Sequence, residues 1–151
     1  MQWQLDVERL HRCVEAIQSG QIHHVLQRGE GATTARLMLL VGDVELGDYG
    51  NLYIMVVDNQ TMVDITQRAL CDILTNYGYE ITRHIKGQVT FGNAIQVRFL
   101  TANQFFDTRA VRGLRVSRVF FDVSQHTLVK YDDDTIHYAL TTVQAGGADI
   151  V

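Results

Sequence analysis

Two stretches of this chain carry residue types at spacings that could do chemistry, and both point to phosphate. The first is Ile22-His23-His24-Val25-Leu26-Gln27-Arg28-Gly29-Glu30-Gly31-Ala32-Thr33-Thr34-Ala35-Arg36. It has the pattern of a short apolar strand, a tight two-glycine turn, a threonine pair and then a helix. Backbone amides in such a turn converge on one point, and the helix adds its positive N-terminal end, which makes a phosphate cradle. A lysine ordinarily lies between the last glycine and the hydroxyl residue of such a loop. Ala32 stands there instead. The second stretch is Val119-Phe120-Phe121-Asp122, an apolar strand that ends on a carboxylate.

Phosphoryl transfer on a P-loop needs several parts held together. A glycine turn and a lysine hold the β- and γ-phosphates, and a hydroxyl at the helix start holds Mg²⁺. An aspartate at a strand end holds that ion through water, a glutamate orients the attacking water, and an arginine neutralises transition-state charge. Gly29 and Gly31 supply the turn, Thr33 or Thr34 the hydroxyl, Asp122 the carboxylate, and Arg28 a cation within reach of a γ-phosphate. Two parts are missing: Ala32 replaces the lysine, and Val123 follows Asp122 where a catalytic glutamate is commonly found. Loss of the lysine removes a charge-assisted contact worth about 2–4 kcal/mol to the transition state. Arg28 and Arg36 are the nearby substitutes, but a guanidinium is bulkier and differently aimed than an ammonium.

Taken singly, each part has a plainer role. A glycine pair before a helix also makes an ordinary turn, Asp122 can cap a strand end, and Arg28 can be a solvated charge. The pairing is what carries weight, because both elements fall at strand ends, where an open α/β sheet forms its ligand crevice. Other candidates are weaker. His23 and His24 are adjacent on a strand and so face opposite sides, and His126 and His137 lack evident co-ligands. Asp132-Asp133-Asp134 reads as a cap at a helix start. Trp3, Tyr77 and Tyr79 are isolated aromatics of the kind that serve packing.

The elements that must position these residues alternate. Residues 5–18 have helical periodicity ending at Gly20, residues 22–26 are a short strand, and Thr33 onward is a helix. A glycine-broken connection is expected from Gly42 to Gly50. Leu52–Val57 is a continuous apolar run, the mark of a strand covered on both faces. Helical spacing from Met62 to Tyr77 follows, then short strands at 80–85 and 88–91 around a Lys86-Gly87 turn, and a strand at 94–100. A polar bend at 101–103, a short helix at 104–111, a strand at 116–122 and a helix at 135–144 complete the order, with the start of a strand at 148–151. This alternation indicates an α/β three-layer sandwich with a mainly parallel central sheet. The expected organisation is one domain over 1–151: an N-terminal helix in 1–20, a core in 21–123, and a C-terminal helix and strand start in 124–151.

Composition narrows the class. With 17 acidic and 13 basic residues in 151, the chain lacks the basic balance of a whole-surface nucleic-acid binder, so DNA contact should be local or shared. Cys13 and Cys71 have no second ligand at metal spacing and read as two buried thiols of a cytosolic protein. No run approaches a membrane span and the N-terminus has no signal-peptide pattern, so a cytoplasmic place without membrane contact is expected.

From Gly29 to Asp122 the chain resembles the ATPase domain of large terminase subunits, the viral DNA-packaging motors, and more loosely helicase-type ATPases. Gln27 to Thr34 is similar to the terminase phosphate loop, with Arg28 on its arginine, Gly31 on its glycine, Ala32 on its lysine and Thr33 on its magnesium-binding hydroxyl. Leu52–Asn59 with Tyr77–Ile81 resembles the family's second strand–helix unit, and Phe91–Val97 its hairpin. Arg112-Gly113-Leu114-Arg115, leading into Val116–Asp122, resembles the approach to the strand that bears the metal aspartate. The resemblance implies a P-loop NTPase-like fold, with Gly29, Gly31, Ala32, Thr33 and Thr34 at the nucleotide, Thr33 and Asp122 at the metal, and Arg28 and Asp122 as the catalytic candidates. ATP with Mg²⁺ is the implied cofactor, weakly bound or not at all given positions 32 and 123. The implied partners are viral (bacteriophage) packaging proteins or a related ATPase in the host cytoplasm, local DNA, and further copies of the chain in a homo-oligomer. A nuclease domain follows in the family, and with an end at Val151 the expectation is a chain without room for one. The expectation is a binding or regulatory protein with a degenerate nucleotide site. The alternatives are a slow Mg²⁺-dependent ATPase active as a ring, and a structural virion or assembly protein.

Overall fold

The structure is a computed structural model that describes residues 32–47 and 50–150. The helix expected at 5–18, the strand at 22–26, the glycine turn with Arg28, Gly29 and Gly31, and Trp3, Cys13, His23 and His24 lie outside the described residues.

Helix α1 (Ala32–Leu46) buries Ala35, Leu37, Leu40 and Val41. It runs straight through Gly42, where the sequence suggested a break. Gly42 faces solvent, so its cost is only the roughly 1 kcal/mol of backbone entropy. Its neighbours Val41 and Asp43 are both buried. The helix stops at Gly47, whose φ of +71° suits glycine and whose N–H donates to the Asp43 carbonyl (3.1 Å).

Strand β1 (Leu52–Val57) is buried at five of its six positions, as the unbroken apolar run requires. Helix α2 (Gln60–Asn76) starts on Asn59, whose side chain accepts from the Met62 N–H. A two-residue turn joins β2 (Ile81–Ile85) to β3 (Gln88–Phe91), with Gly87 at φ +77°. The buried Gln67 of α2 holds this turn from below. It donates to the carbonyls of Ile85 (2.5 Å) and Gln88 (3.1 Å) and accepts from the Gly87 N–H (2.9 Å).

Strand β4 (Ile95–Thr101) leads directly into α3 (Ala102–Asp107). The sequence suggested a polar bend here and a helix from Gln104 to Val111. Thr101 and Gln104 instead form a reciprocal capping box that starts the helix at Ala102. Thr108, in the left-handed region at φ +69°, ends it. Strand β5 (Arg118–Asp122), the short α4 (Gln125–Leu128), α5 (Asp133–Ala145) and β6 (Asp149–Ile150) follow. Helix α5 starts on Asp132, which accepts from the Thr135 N–H at 2.7 Å. The acidic run thus serves as a cap.

The strands form one sheet in the order β2-β3-β4-β1-β5-β6. β2, β3 and β4 pair antiparallel at one side, while β4, β1, β5 and β6 are mutually parallel. Period-two alternation sends Tyr53, Met55, Val57, Phe99 and Phe120 to the face under α1 and α2. Ile54, Val56, Val119 and Phe121 go to the face covered by α3 and α5. The result is the expected α/β three-layer sandwich. Register matters most at one edge: Val57 pairs with both Thr101 and Asp122, so the carboxyl ends of β4, β1 and β5 lie side by side.

Candidate functional site

The first turn of α1 meets the end of β5. The Thr33 hydroxyl donates to Asp122 Oδ2 at 2.6 Å, and the Arg36 guanidinium donates to Asp122 Oδ1 at 3.0 Å. Residues three apart on a helix share a face, so Thr33 and Arg36 clasp one carboxylate between them. The pair is nearly closed to solvent, with side-chain exposures of 8% for Arg36 and 11% for Asp122. Toward its C-terminus α1 makes a second ion pair of opposite polarity: Asp43 accepts from Arg118 at the start of β5. The Arg118 guanidinium also lies over the Phe120 ring, 5.4 Å from its centroid. Helix and strand are therefore fixed antiparallel, with the helix N-terminus at the strand's carboxyl end.

Two more side chains frame this edge. Asp58, immediately after β1, accepts from the Ser124 N–H (2.7 Å), and the Ser124 hydroxyl accepts from the Thr127 N–H to start α4. The signal for Asp58 in the sequence is a carboxylate at the end of a continuous apolar run. Val123, after Asp122, is buried with the apolar side chains beneath α3 and α5. The residue at that position is not an acid.

Of the predicted site residues, Thr33 and Asp122 are brought together. Thr34 follows in the same first turn, and Ala32 is the first helical residue. The missed member is Arg36, named above only as a stand-in for the lysine, although its spacing from Thr33 already put it on the same helix face.

The donor set can be tested for Mg²⁺. A hydroxyl and a carboxylate are the hard oxygen ligands this ion prefers. Their engagement is wrong: one carboxylate oxygen accepts the Thr33 proton and the other holds a guanidinium. A divalent ion would have to displace or approach a permanent positive charge. As arranged, these residues do not fit a resident metal.

The remaining candidates lie apart. Among the described residues no group of three or more His, Cys, Asp and Glu is placed to hold a metal. Cys71 is half-buried rather than buried, its sulfur 3.8 Å from His84 Nδ1, and burial followed by the nearby Asp72 raises its thiol pKa. Tyr79 packs edge-on against Phe91 with ring centroids 5.5 Å apart. Arg112 and Arg115 line an open groove of about 600 Å³ with Tyr138. Gly113 between them takes φ +79°, which is why that motif needs glycine. Among the described residues no helix is long and apolar enough to cross a membrane.

No family model matches the chain, and no curated protein matches it. Solved structures do. The large terminase of the thermophilic bacteriophage D6E superimposes with a TM-score of 0.59 at 10% identity, over 94% of this chain. The same phage's large terminase in complex with ADP gives 0.57 at 13% identity, again over 94%. The chain spans 37% of the length of those terminase chains. At such identities the likeness is one of architecture: the chain has a terminase-like, P-loop NTPase-like α/β fold.

Proposed function

We propose that this chain is a terminase-type ATPase fold that binds or regulates rather than hydrolyses, serving viral DNA packaging or DNA metabolism. The observation that carries this reading is the state of Asp122. Its bond from Thr33 keeps the two halves of a phosphate crevice together, yet Arg36 occupies its other oxygen and the buried Val123 follows it. In this reading the backbone of Gly29, Gly31, Ala32, Thr33 and Thr34 cradles phosphate, with Arg28 beside it. Arg36 and Thr33 hold the Asp122 carboxylate in place. Neither a lysine nor a water-orienting carboxylate is present at its usual position, so the crevice can hold an anion without activating water against it.

The partners in this reading are packaging proteins, a related ATPase or further copies of the chain, with DNA contact local. A terminase neighbour crystallised with ADP supports a nucleotide as the ligand class.

The test is ATP turnover with Mg²⁺ in the wild type, alongside melting curves of wild type and Ala32→Lys. No turnover above background is expected. The ATP-dependent rise in melting temperature should be larger for Ala32→Lys. Ligand at about 100 times its Kd stabilises a fold by about 2.7 kcal/mol, about 5–10 °C for a domain this size. Wild-type turnover that disappears in Asp122→Ala would overturn the proposal and make the chain an enzyme.

A further inference from the structure

We infer that the groove between residues 112–115 and helix α5 is a binding site for single-stranded nucleic acid, with Arg112 and Arg115 on its phosphates and the Tyr138 ring against a base. The inference goes beyond the crevice reading and does not depend on it. The 112–115 loop leads into the amino end of β5, whereas Asp122 stands at the carboxyl end.

The groove has a volume of about 600 Å³, within the range of small-ligand sites. Its walls are preformed. Val111 and Val116 are buried on either side of the loop, and Gly113 turns it at φ +79°. The loop lies so close on the end of α5 that a Cβ on Gly146 would stand 2.5 Å from the Leu114 carbonyl oxygen. Among the described residues no carboxylate lines the groove. In a chain with 17 acidic and 13 basic residues, two arginines in one acid-free groove are a local reversal of sign. The nearby Asp107 is already held by Arg109 through Nε and Nη2.

The fold leaves both arginines available. Arg112 gives one N–H to the Thr108 hydroxyl (2.9 Å). Arg115 is exposed and makes no hydrogen bond or ion pair among the described residues. Neither is needed to cap α5, because the N–H groups of Gly146 and Ala148 donate to the Val143 carbonyl and that of Gly147 to the Gln144 carbonyl. Guanidinium groups match phosphate oxygens in a two-pronged contact. The other wall offers Tyr138, 56% exposed. It also offers Thr141 and Thr142, whose hydroxyls donate back to the carbonyls of His137 and Tyr138 (both 2.8 Å), leaving their oxygens to accept from a ligand. Phosphate, a flat ring and N–H donors occur together in a nucleotide. Only an unpaired strand opens its base faces to a tyrosine; a duplex keeps them stacked inside. An acidic peptide would meet the arginines and leave the ring unmatched.

The experiment is fluorescence anisotropy of a labelled oligodeoxynucleotide, single-stranded and as its duplex, titrated with the full chain at several KCl concentrations. The proteins are wild type, Arg115→Gln, Tyr138→Ala and Tyr138→Phe. The single strand should bind about tenfold tighter than the duplex, and Tyr138→Ala should remove about tenfold while Tyr138→Phe keeps wild-type affinity. Arg115→Gln should weaken binding about tenfold and flatten the slope of log affinity against log salt by about 0.7. Duplex binding as tight as single-strand binding would overturn the inference. So would unchanged affinity in Tyr138→Ala, an unchanged salt slope in Arg115→Gln, or a polyglutamate peptide that displaces the strand at equal concentration. Both substituted side chains are exposed, so each variant should melt with the wild type, and the comparison of single strand with duplex needs no variant. Absence of binding to either would overturn this inference and leave the crevice reading intact. That reading fails separately, through ATP turnover that depends on Asp122.

Discussion

Helix α1 and strand β5 are joined by two ion pairs that use the same two residue types in opposite order. At the carboxyl end of the strand, an arginine on the helix meets an aspartate on the strand: Arg36 with Asp122. At the far end an aspartate on the helix meets an arginine on the strand: Asp43 with Arg118. The two are similarly shielded from solvent, and they differ in what surrounds them. Arg118 also covers the Phe120 ring, and Asp43 sits in the body of the helix, so that pair clips packed elements together. Asp122 also takes the Thr33 hydroxyl and stands beside the ends of β1 and β4. The two pairs share their residue types; in the proposed reading it is position relative to the carboxyl edge of the parallel strands that would make one of them a site.

That contrast can be broken by substitution. Asp43→Ala removes one partner of a shielded pair and should cost about 3 kcal/mol in urea unfolding, with ADP affinity unchanged. Asp122→Asn keeps an acceptor for Thr33 but removes the charge that Arg36 faces. Its expected cost is smaller, about 2 kcal/mol, and here ADP affinity should change. If both substitutions altered binding equally, the distinction between clip and site would be lost. Thr33→Val removes a single hydroxyl bond and should cost about 1 kcal/mol, whereas Thr33→Ser should be near neutral in the same unfolding assay.

A carboxylate in neither pair serves as the control. Asp132 caps α5, and its hydrogen bonds from Thr135, the side-chain bond first, lower its pKa below the usual carboxylate value. Because the folded-state pKa is depressed, its contribution is present above the unfolded pKa and is lost as pH falls through the folded one. Asp132→Asn, a cap that does not titrate, should flatten that acid limb in pH-dependent melting. It should leave the Asp122 crevice untouched.

Much of this arrangement was legible in the chain. β1 and the apolar centre of β5 are unbroken hydrophobic runs, and only a strand covered on both faces is written that way. The Thr33–Asp122 contact was inferable because parallel topology brings a helix start and a strand end to one edge. Arg36 was harder, since its partner is 86 residues away and its role exists only once α1 lies on β5. The course of α1 through Gly42 was hidden for the same reason: the buried Asp43 beyond it is anchored by Arg118. Gln67, a polar residue in a helix, gave no hint that it holds the β2–β3 turn. Thr101 and Gln104 did carry the capping-box signature, which was read as a bend.

The most direct measurement is a double-mutant cycle on Arg36→Gln and Asp122→Asn, with stability read by urea unfolding. A crevice in which these two groups face each other across α1 and β5 predicts a coupling energy of about 2 kcal/mol. Single effects that add to within about 0.5 kcal/mol would mean the two groups do not interact, and would contradict the account.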